Sequence, residues 1–97
     1  MKKVGWIERM STGDFIATSI YVRLAIYDSE LGQIAETLRN HDDSHWRVII
    51  SGRMRKRLKP PGMASTNPWT VHTRMDHPAR ARFELARWLE NEAEWLE

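Results

Sequence analysis

Hydrophobic and polar residues alternate most regularly between Phe15 and Tyr27. Isoleucine, valine, leucine and threonine occupy one face of this stretch, while alanine, serine, arginine and tyrosine occupy the other. A period of two in β-branched and aromatic residues is typical of a half-buried strand. The pattern therefore predicts one strand over residues 15–27, with Ile16, Thr18, Ile20, Val22, Leu24 and Ile26 on its inner face.

Three further segments have the composition of strands, namely Val4–Arg9, His45–Ser51 and Trp69–Met75. The turn-forming residues of Ser11–Asp14 close the first segment, and polar Asn40–Ser44 forms a turn before the second. The residues expected to face inward in the second segment are Trp46, Val48 and Ile50.

The stretch Asp28–Arg39 fits two structures. Leu31, Ile34, Ala35 and Leu38 recur at helical spacing, but a helix would contain Gly32 at a cost of about 1 kcal/mol. Residues 28–32 also suit a hairpin loop. We favour a strand over residues 33–39, with a helix as the alternative.

Residues Gly52–Pro68 show no apolar periodicity and contain the sequence Pro60-Pro61-Gly62. Connections of this length without structure of their own are uncommon in small domains, and they tend to be functional or disordered. We therefore expect a long, irregular loop here.

The C-terminal residues predict a helix from Pro78 almost to Glu97, capped by Asp76 or His77. Its apolar face comprises Ala79, Phe83, Leu85, Ala86, Leu89, Ala93 and Leu96. Together the elements predict a single α+β domain over residues 1–97, with an antiparallel sheet of four or five strands and the C-terminal helix packed on one face. Trp46 and Phe83 are expected in its core.

Composition narrows the class of protein. The chain has no cysteine, so disulfides and thiolate chemistry are excluded. The N-terminal run Met1–Arg9 reaches charge, at Glu8 and Arg9, too soon to contain the apolar stretch of a signal peptide. No apolar run approaches the roughly 20 residues that span a bilayer. We expect a soluble, cytoplasmic protein without a membrane partner.

Charge is distributed unevenly although its net value is only +2. Residues 41–59 contain six basic side chains against Asp42 and Asp43, whereas residues 83–97 contain five glutamates against Arg87. The predicted binding cations are Arg47, Arg53, Arg55, Lys56, Arg57 and Lys59. If residues 53–59 continue the preceding strand, alternate cations share one edge and could follow a phosphate backbone. The same cations could instead bind an acidic surface of a host protein, and the remaining alternative is a solvated loop.

Trp88 and Trp95 lie one heptad apart, nearly opposite the predicted apolar face of the helix. Two such rings would mark a surface for a partner or a second copy of the chain. Alternatively, the loop 52–68 folds over them and places them in the core.

No set of residues points to catalysis or to a cofactor. His41 and His45 have the spacing of two metal ligands on a helix, but the segment between them reads as a polar turn. We expect neither a metal site nor an enzyme.

The strand Trp46–Gly52 and the closing helix Asp76–Leu89 give the chain a layout that resembles small proteins encoded by phages and mobile elements, including anti-CRISPR proteins. The resemblance is one of architecture and carries over no functional residue. It implies an inhibitor that docks on a host nucleoprotein defence complex. A direct DNA- or RNA-binding regulator, and an assembly protein that dimerises through Trp88 and Trp95, are the alternatives.

Overall fold

A computed structural model describes residues 5–62 and 67–96. Its elements in chain order are α1 (Trp6–Arg9), β1 (Met10–Ala17), β2 (Tyr21–Asp28), β3 (Gly32–Asn40), β4 (Trp46–Ile50), a 3₁₀ helix (Gly52–Lys56), β5 (Thr70–Met75), a 3₁₀ turn (Pro78–Arg80) and α2 (Ala81–Asn91).

The five strands form one antiparallel meander in the order β1-β2-β3-β4-β5. Helix α2 packs on one face of this sheet, against β4 and β5. This arrangement confirms the predicted α+β class with a C-terminal helix on one face.

The prediction of one strand over residues 15–27 is wrong, because the chain reverses at Thr18–Ile20 and forms β1 and β2. The Thr18 hydroxyl accepts hydrogen bonds from the backbone N–H groups of Ile20 and Tyr21, at 3.2 and 3.1 Å. A threonine side chain thus closes a hairpin that contains neither glycine nor proline. Ile16 and Ile20 are consequently exposed, whereas Leu24 and Ile26 are buried as expected.

The N-terminal segment also differs from the expected strand and turn. Residues 6–9 form a single helical turn, in which Trp6 faces the core; Val4 lies outside the described residues. Residues 11–14 belong to β1, where the pairing with β2 shifts register between Thr12 and Phe15. The glycine and aspartate of this segment therefore sit in a bulge of the strand.

Several other predictions are confirmed. Residues 33–39 form a strand within β3, the polar turn precedes β4, and Thr70–Met75 forms β5. The His77 side chain caps the last helical region by accepting a hydrogen bond from the N–H of Ala79 at 3.1 Å, with Pro78 in the first turn.

The face that helix α2 buries coincides only in part with the predicted one: Leu85, Ala86 and Leu89 are buried as expected, whereas Phe83 and Leu96 are exposed. Its buried residues are Ala81, Leu85, Ala86, Trp88 and Leu89. Phe83 is 57% exposed and is not a core residue, whereas Trp46 is buried as expected. Ala79 and Ala93 lie outside α2, and without them residues 81, 85, 88 and 89 form the usual i, i+4, i+7, i+8 stripe.

The helix also ends earlier than predicted, at Asn91 instead of near Glu97. The N–H groups of Glu92 and Ala93 both donate to the carbonyl of Trp88, which terminates the helix. The chain then extends and pairs with the segment that follows β4, as described below.

Candidate polyanion-binding surface

The cations predicted to bind a partner lie on a folded segment that follows β4. Gly52 starts the 3₁₀ helix with a φ of +57°, and a Cβ at this position would approach the carbonyl oxygen of Gln33 to 2.9 Å. The N–H of the preceding Ser51 donates to the carbonyl of Ile34 at 3.0 Å. A glycine is therefore required where the chain leaves the sheet and passes close to β3.

Two apolar residues anchor this segment to the core. Met54 has no exposed surface, and Leu58 is 1% exposed. The five cations around them are exposed: Arg53, Arg55, Lys56, Arg57 and Lys59. Hereafter we call residues 53–59 the basic segment. It is a helical turn with its charges on the outside, so the expected extended ladder of cations is wrong.

The C-terminal tail holds the basic segment from the other side. The N–H of Lys59 donates to the carbonyl of Glu94, and the N–H of Leu96 donates to the carbonyl of Arg57, at 2.9 and 2.8 Å. Leu58 and Trp95 form an antiparallel bridge between these bonds. The expected irregular loop is therefore ordered over residues 52–59, while residues 63–66 lie outside the described part of the chain.

The cations of the basic segment have no ionic partner among the described residues, since no carboxylate oxygen lies within 4.0 Å of their side-chain nitrogens. Other arginines do have such partners: Arg9, Arg23, Arg47, Arg80 and Arg87. The closest of these pairs joins Arg9 to the buried Asp28 at 2.6 Å, and this hydrogen bond raises the pKa of Arg9. The positive charge of the basic segment thus remains available to a partner.

Arg47 does not belong to this surface. It lies near the start of β4, while the basic segment follows the end of that strand. Its guanidinium donates to Asp43 at 2.7 Å. The backbone N–H of His45, and then Arg47, donate to this carboxylate and lower the pKa of Asp43. Arg47 is therefore engaged in the β3–β4 turn.

The two tryptophans predicted to form an outer stripe are packed inside the molecule. Trp88 is 5% exposed and belongs to the core, and it lines a small cavity with Lys59, Pro60 and Pro61. Trp95 is partly buried and stacks on Trp6, with ring centroids 6.0 Å apart. The rings are therefore not an exposed aromatic pair. Of the loop 52–68, which was expected to cover them in the alternative, Leu58 pairs with Trp95, and Lys59, Pro60 and Pro61 lie across the cavity from Trp88.

Trp69 is a candidate site residue that the sequence did not indicate. The guanidinium carbon of Arg55 lies 5.7 Å from the centroid of the Trp69 ring. Trp69 is fourteen residues further along the chain, just before β5, and reaches Arg55 because β5 pairs with β4. Because Trp69 is separated from the basic segment by residues 60–68, the sequence alone does not indicate this contact, which depends on the order of the strands.

The histidines at the β3–β4 turn, His41 and His45, contact neighbouring backbone and side-chain groups. Within residues 5–62 and 67–96, no three His, Asp or Glu side chains are grouped so that they could hold a metal ion. His41 instead bonds the carbonyl of Thr18 at 2.8 Å, and His45 contacts Ser44. The predicted polar turn accounts for both residues.

Comparisons with protein-family models, curated protein sequences and solved structures give no match for this chain. No helix in the described ranges is both long enough and apolar enough to cross a bilayer.

Proposed function

We propose that this chain is a non-enzymatic binding protein that docks on nucleic acid, free or within a nucleoprotein, through the basic segment. The observation that carries this proposal is the group of five exposed cations without a carboxylate partner among the described residues. Such a group neutralises phosphates and releases their counterions, which is a main source of affinity for nucleic acids.

The anchoring of the segment favours binding. A flexible basic loop would lose conformational freedom when it binds, whereas Met54, Leu58 and the paired tail already restrict this one. Three of the five cations are arginines, whose planar groups match phosphate oxygens better than lysine does. The geometry therefore supports a preformed surface over a merely solvated loop.

In the narrower form of the proposal, the target is a host nucleoprotein defence complex. The chain would inhibit it by occupying a path that normally holds nucleic acid. The architectural resemblance to phage and mobile-element inhibitors supports this form. A regulator that binds DNA or RNA directly would use the same surface.

The test measures binding of a labelled 20-nucleotide strand to the full chain by fluorescence anisotropy. Contacts to about five phosphates should weaken the affinity roughly 100-fold between about 50 and 200 mM salt. Arg57→Glu should weaken it at least about tenfold, because it replaces attraction by repulsion. Arg74→Glu is the matched control, since Arg74 is exposed on β5 and also lacks an ionic partner among the described residues.

Equal weakening by both reversals would show that net charge, not the basic segment, governs binding. Capture of a bacterial nucleoprotein by the wild type, and its loss in Arg57→Glu, would support the inhibitor form. Nuclease treatment of the lysate then distinguishes the inhibitor from the direct nucleic-acid binder. A partner that stays bound after the treatment is contacted as a protein, whereas a partner that is lost was held through nucleic acid. Absence of binding in both assays would overturn the proposal.

A further inference from the structure

Arg55 differs from the other four cations of the basic segment because its side chain is fixed. Its Nε donates to the carbonyl of Ile50 at 2.8 Å. Ile50 is the fully buried last residue of β4. The bond leaves the two terminal nitrogens of the guanidinium without a partner among the described residues. Arg55, in the 3₁₀ helix, is thus oriented by its bond to the end of β4.

The backbone of Trp69, whose ring lies beside Arg55, is held by hydrogen bonds as well. The N–H of Trp69 donates to the side chain of Asn67 at 2.9 Å, and its carbonyl accepts from the N–H of Ile50 at 2.9 Å. Trp69 packs in part against the core and remains partly exposed. Arg55 and Trp69 therefore form a preformed pair of a planar cation and an aromatic ring, which we call the Arg55–Trp69 pair.

Binding of phosphates alone would not require an aromatic ring beside the basic segment. The other cations of the basic segment provide charge for a backbone, whereas planar guanidinium and indole groups stack on nucleobases. In a duplex the faces of the bases are covered by their neighbours, so stacking of this kind requires an unpaired base.

We propose that the Arg55–Trp69 pair contacts an unpaired base, so that the surface prefers single-stranded nucleic acid to duplex. This inference rests on the proposed function, because it concerns the same surface. It names the class of ligand as a single strand whose phosphates bind the basic segment while one base lies against the pair.

The test compares three 12-nucleotide ligands of equal length: oligothymidylate, an abasic strand with the same phosphates, and the oligothymidylate duplex with oligodeoxyadenylate. The full chain should bind oligothymidylate about tenfold more tightly than the abasic strand at the same salt concentration, from stacking of a single base. It should also prefer oligothymidylate to the duplex.

Arg55→Lys keeps the charge but removes the planar group and its bond to Ile50. It should reduce the preference for oligothymidylate over the abasic strand from about tenfold to less than about threefold, a ratio that does not depend on how far the change weakens phosphate binding to both strands. Arg74→Lys, outside the surface, should retain the full preference. Trp69→Leu should act like Arg55→Lys, and its urea denaturation curve shows whether it remains folded.

Equal, salt-dependent binding of the three ligands by the wild type would overturn this inference and leave the proposed function intact. If a folded Arg55→Lys variant keeps the full preference for oligothymidylate over the abasic strand, the Arg55–Trp69 pair does not bind the base. No binding of any of the three, together with no nucleoprotein captured from lysate, would overturn the proposed function itself.

Discussion

The basic segment and the edge strand β1 both lie on the surface, but their side chains are distributed in opposite ways. The basic segment buries Met54 and Leu58 and exposes its cations. Strand β1 has one charged residue, Asp14, and exposes Phe15 and Ile16 by 58% and 47%. The segment predicted to be an irregular loop is well anchored, whereas β1, which contains only residues 15–17 of the regularly alternating stretch, is poorly covered.

The difference in burial arises from the elements that pack against the basic segment and against β1. The C-terminal tail pairs with the basic segment, and Met54 and Leu58 insert into the core. Helix α2 packs on β4 and β5, at the opposite edge of the sheet from β1, and reaches the start of β1 through the bond from Arg82 to the carbonyl of Met10. An open groove of about 600 Å³ remains between β1 and the start of α2, lined by Phe15, Pro78 and Arg82 among others. Exposed apolar side chains on an unpaired edge favour association, whereas exposed charges keep a surface dissociated until a partner binds.

The strongest test of this comparison uses two aromatic residues of α2. Trp88→Ala should lower the free energy of unfolding by about 3–5 kcal/mol, because a ring beneath the basic segment is lost from the core. Phe83→Ala should cost less than about 1 kcal/mol, since most of the Phe83 ring is exposed. Urea denaturation of both variants measures the difference. Equal costs would mean that α2 does not bury the face described.

A second test compares an anchor of the basic segment with an apolar residue of β1. Leu58→Ala should cost about 2–5 kcal/mol, and Ile16→Ala less than about 1 kcal/mol. Leu58→Ala should also weaken nucleic-acid binding, because the cations around it lose their support. If Ile16→Ala is the more destabilising variant, β1 is covered by something that this chain alone does not provide.

Local patterns in the sequence predicted much of the sheet. The composition of Trp46–Ile50 and Thr70–Met75, and the capping residues His77 and Pro78, specify structure through short-range effects. The strand at residues 33–39 followed from the cost of Gly32 in a helix. These elements could be predicted because the deciding interactions lie within a few residues.

The errors concern long-range contacts or unusual local chemistry. The hairpin turn at Thr18 depends on a hydroxyl instead of glycine or proline. The early end of α2 depends on pairing between Glu94 and Lys59, which lie far apart in the sequence. The buried position of Trp88 depends in turn on the segment that covers it. The positions of the cations of residues 53–59 were predicted, but their helical arrangement and their contact with Trp69 required the tertiary structure.

A third, smaller effect is expected from changing Ile16, an exposed apolar residue of the edge strand β1. Ile16→Lys should change the free energy of unfolding by less than about 0.5 kcal/mol, because the residue is largely exposed. It should reduce concentration-dependent self-association, since a lysine on an edge strand opposes pairing with another chain. Analytical ultracentrifugation measures this association. Lys56→Ile lowers the net charge by one, whereas Ile16→Lys raises it, and it should not reduce association. An equal reduction in Lys56→Ile would show that the effect is not specific to the edge of β1.

The smallest effect concerns Arg47, a cation outside the basic segment that already has a partner. Hydrogen bonds from the N–H of His45 and from Arg47 lower the pKa of Asp43. A carboxylate with a lowered folded-state pKa stabilises the fold above its unfolded value of about 3.9, and this contribution disappears as the pH falls through the folded pKa. Asp43→Asn should therefore be slightly less stable than the wild type at pH 6, and the two proteins should converge in acid. Carboxyl NMR titration of Asp43 measures the pKa directly.

The affinity of Asp43→Asn for nucleic acid at neutral pH should hardly change, because the released Arg47 lies away from the basic segment. A marked gain in affinity for Asp43→Asn would instead mean that the binding surface extends along β4 to Arg47, which would remove the contrast between paired and unpaired cations on which the proposed site depends.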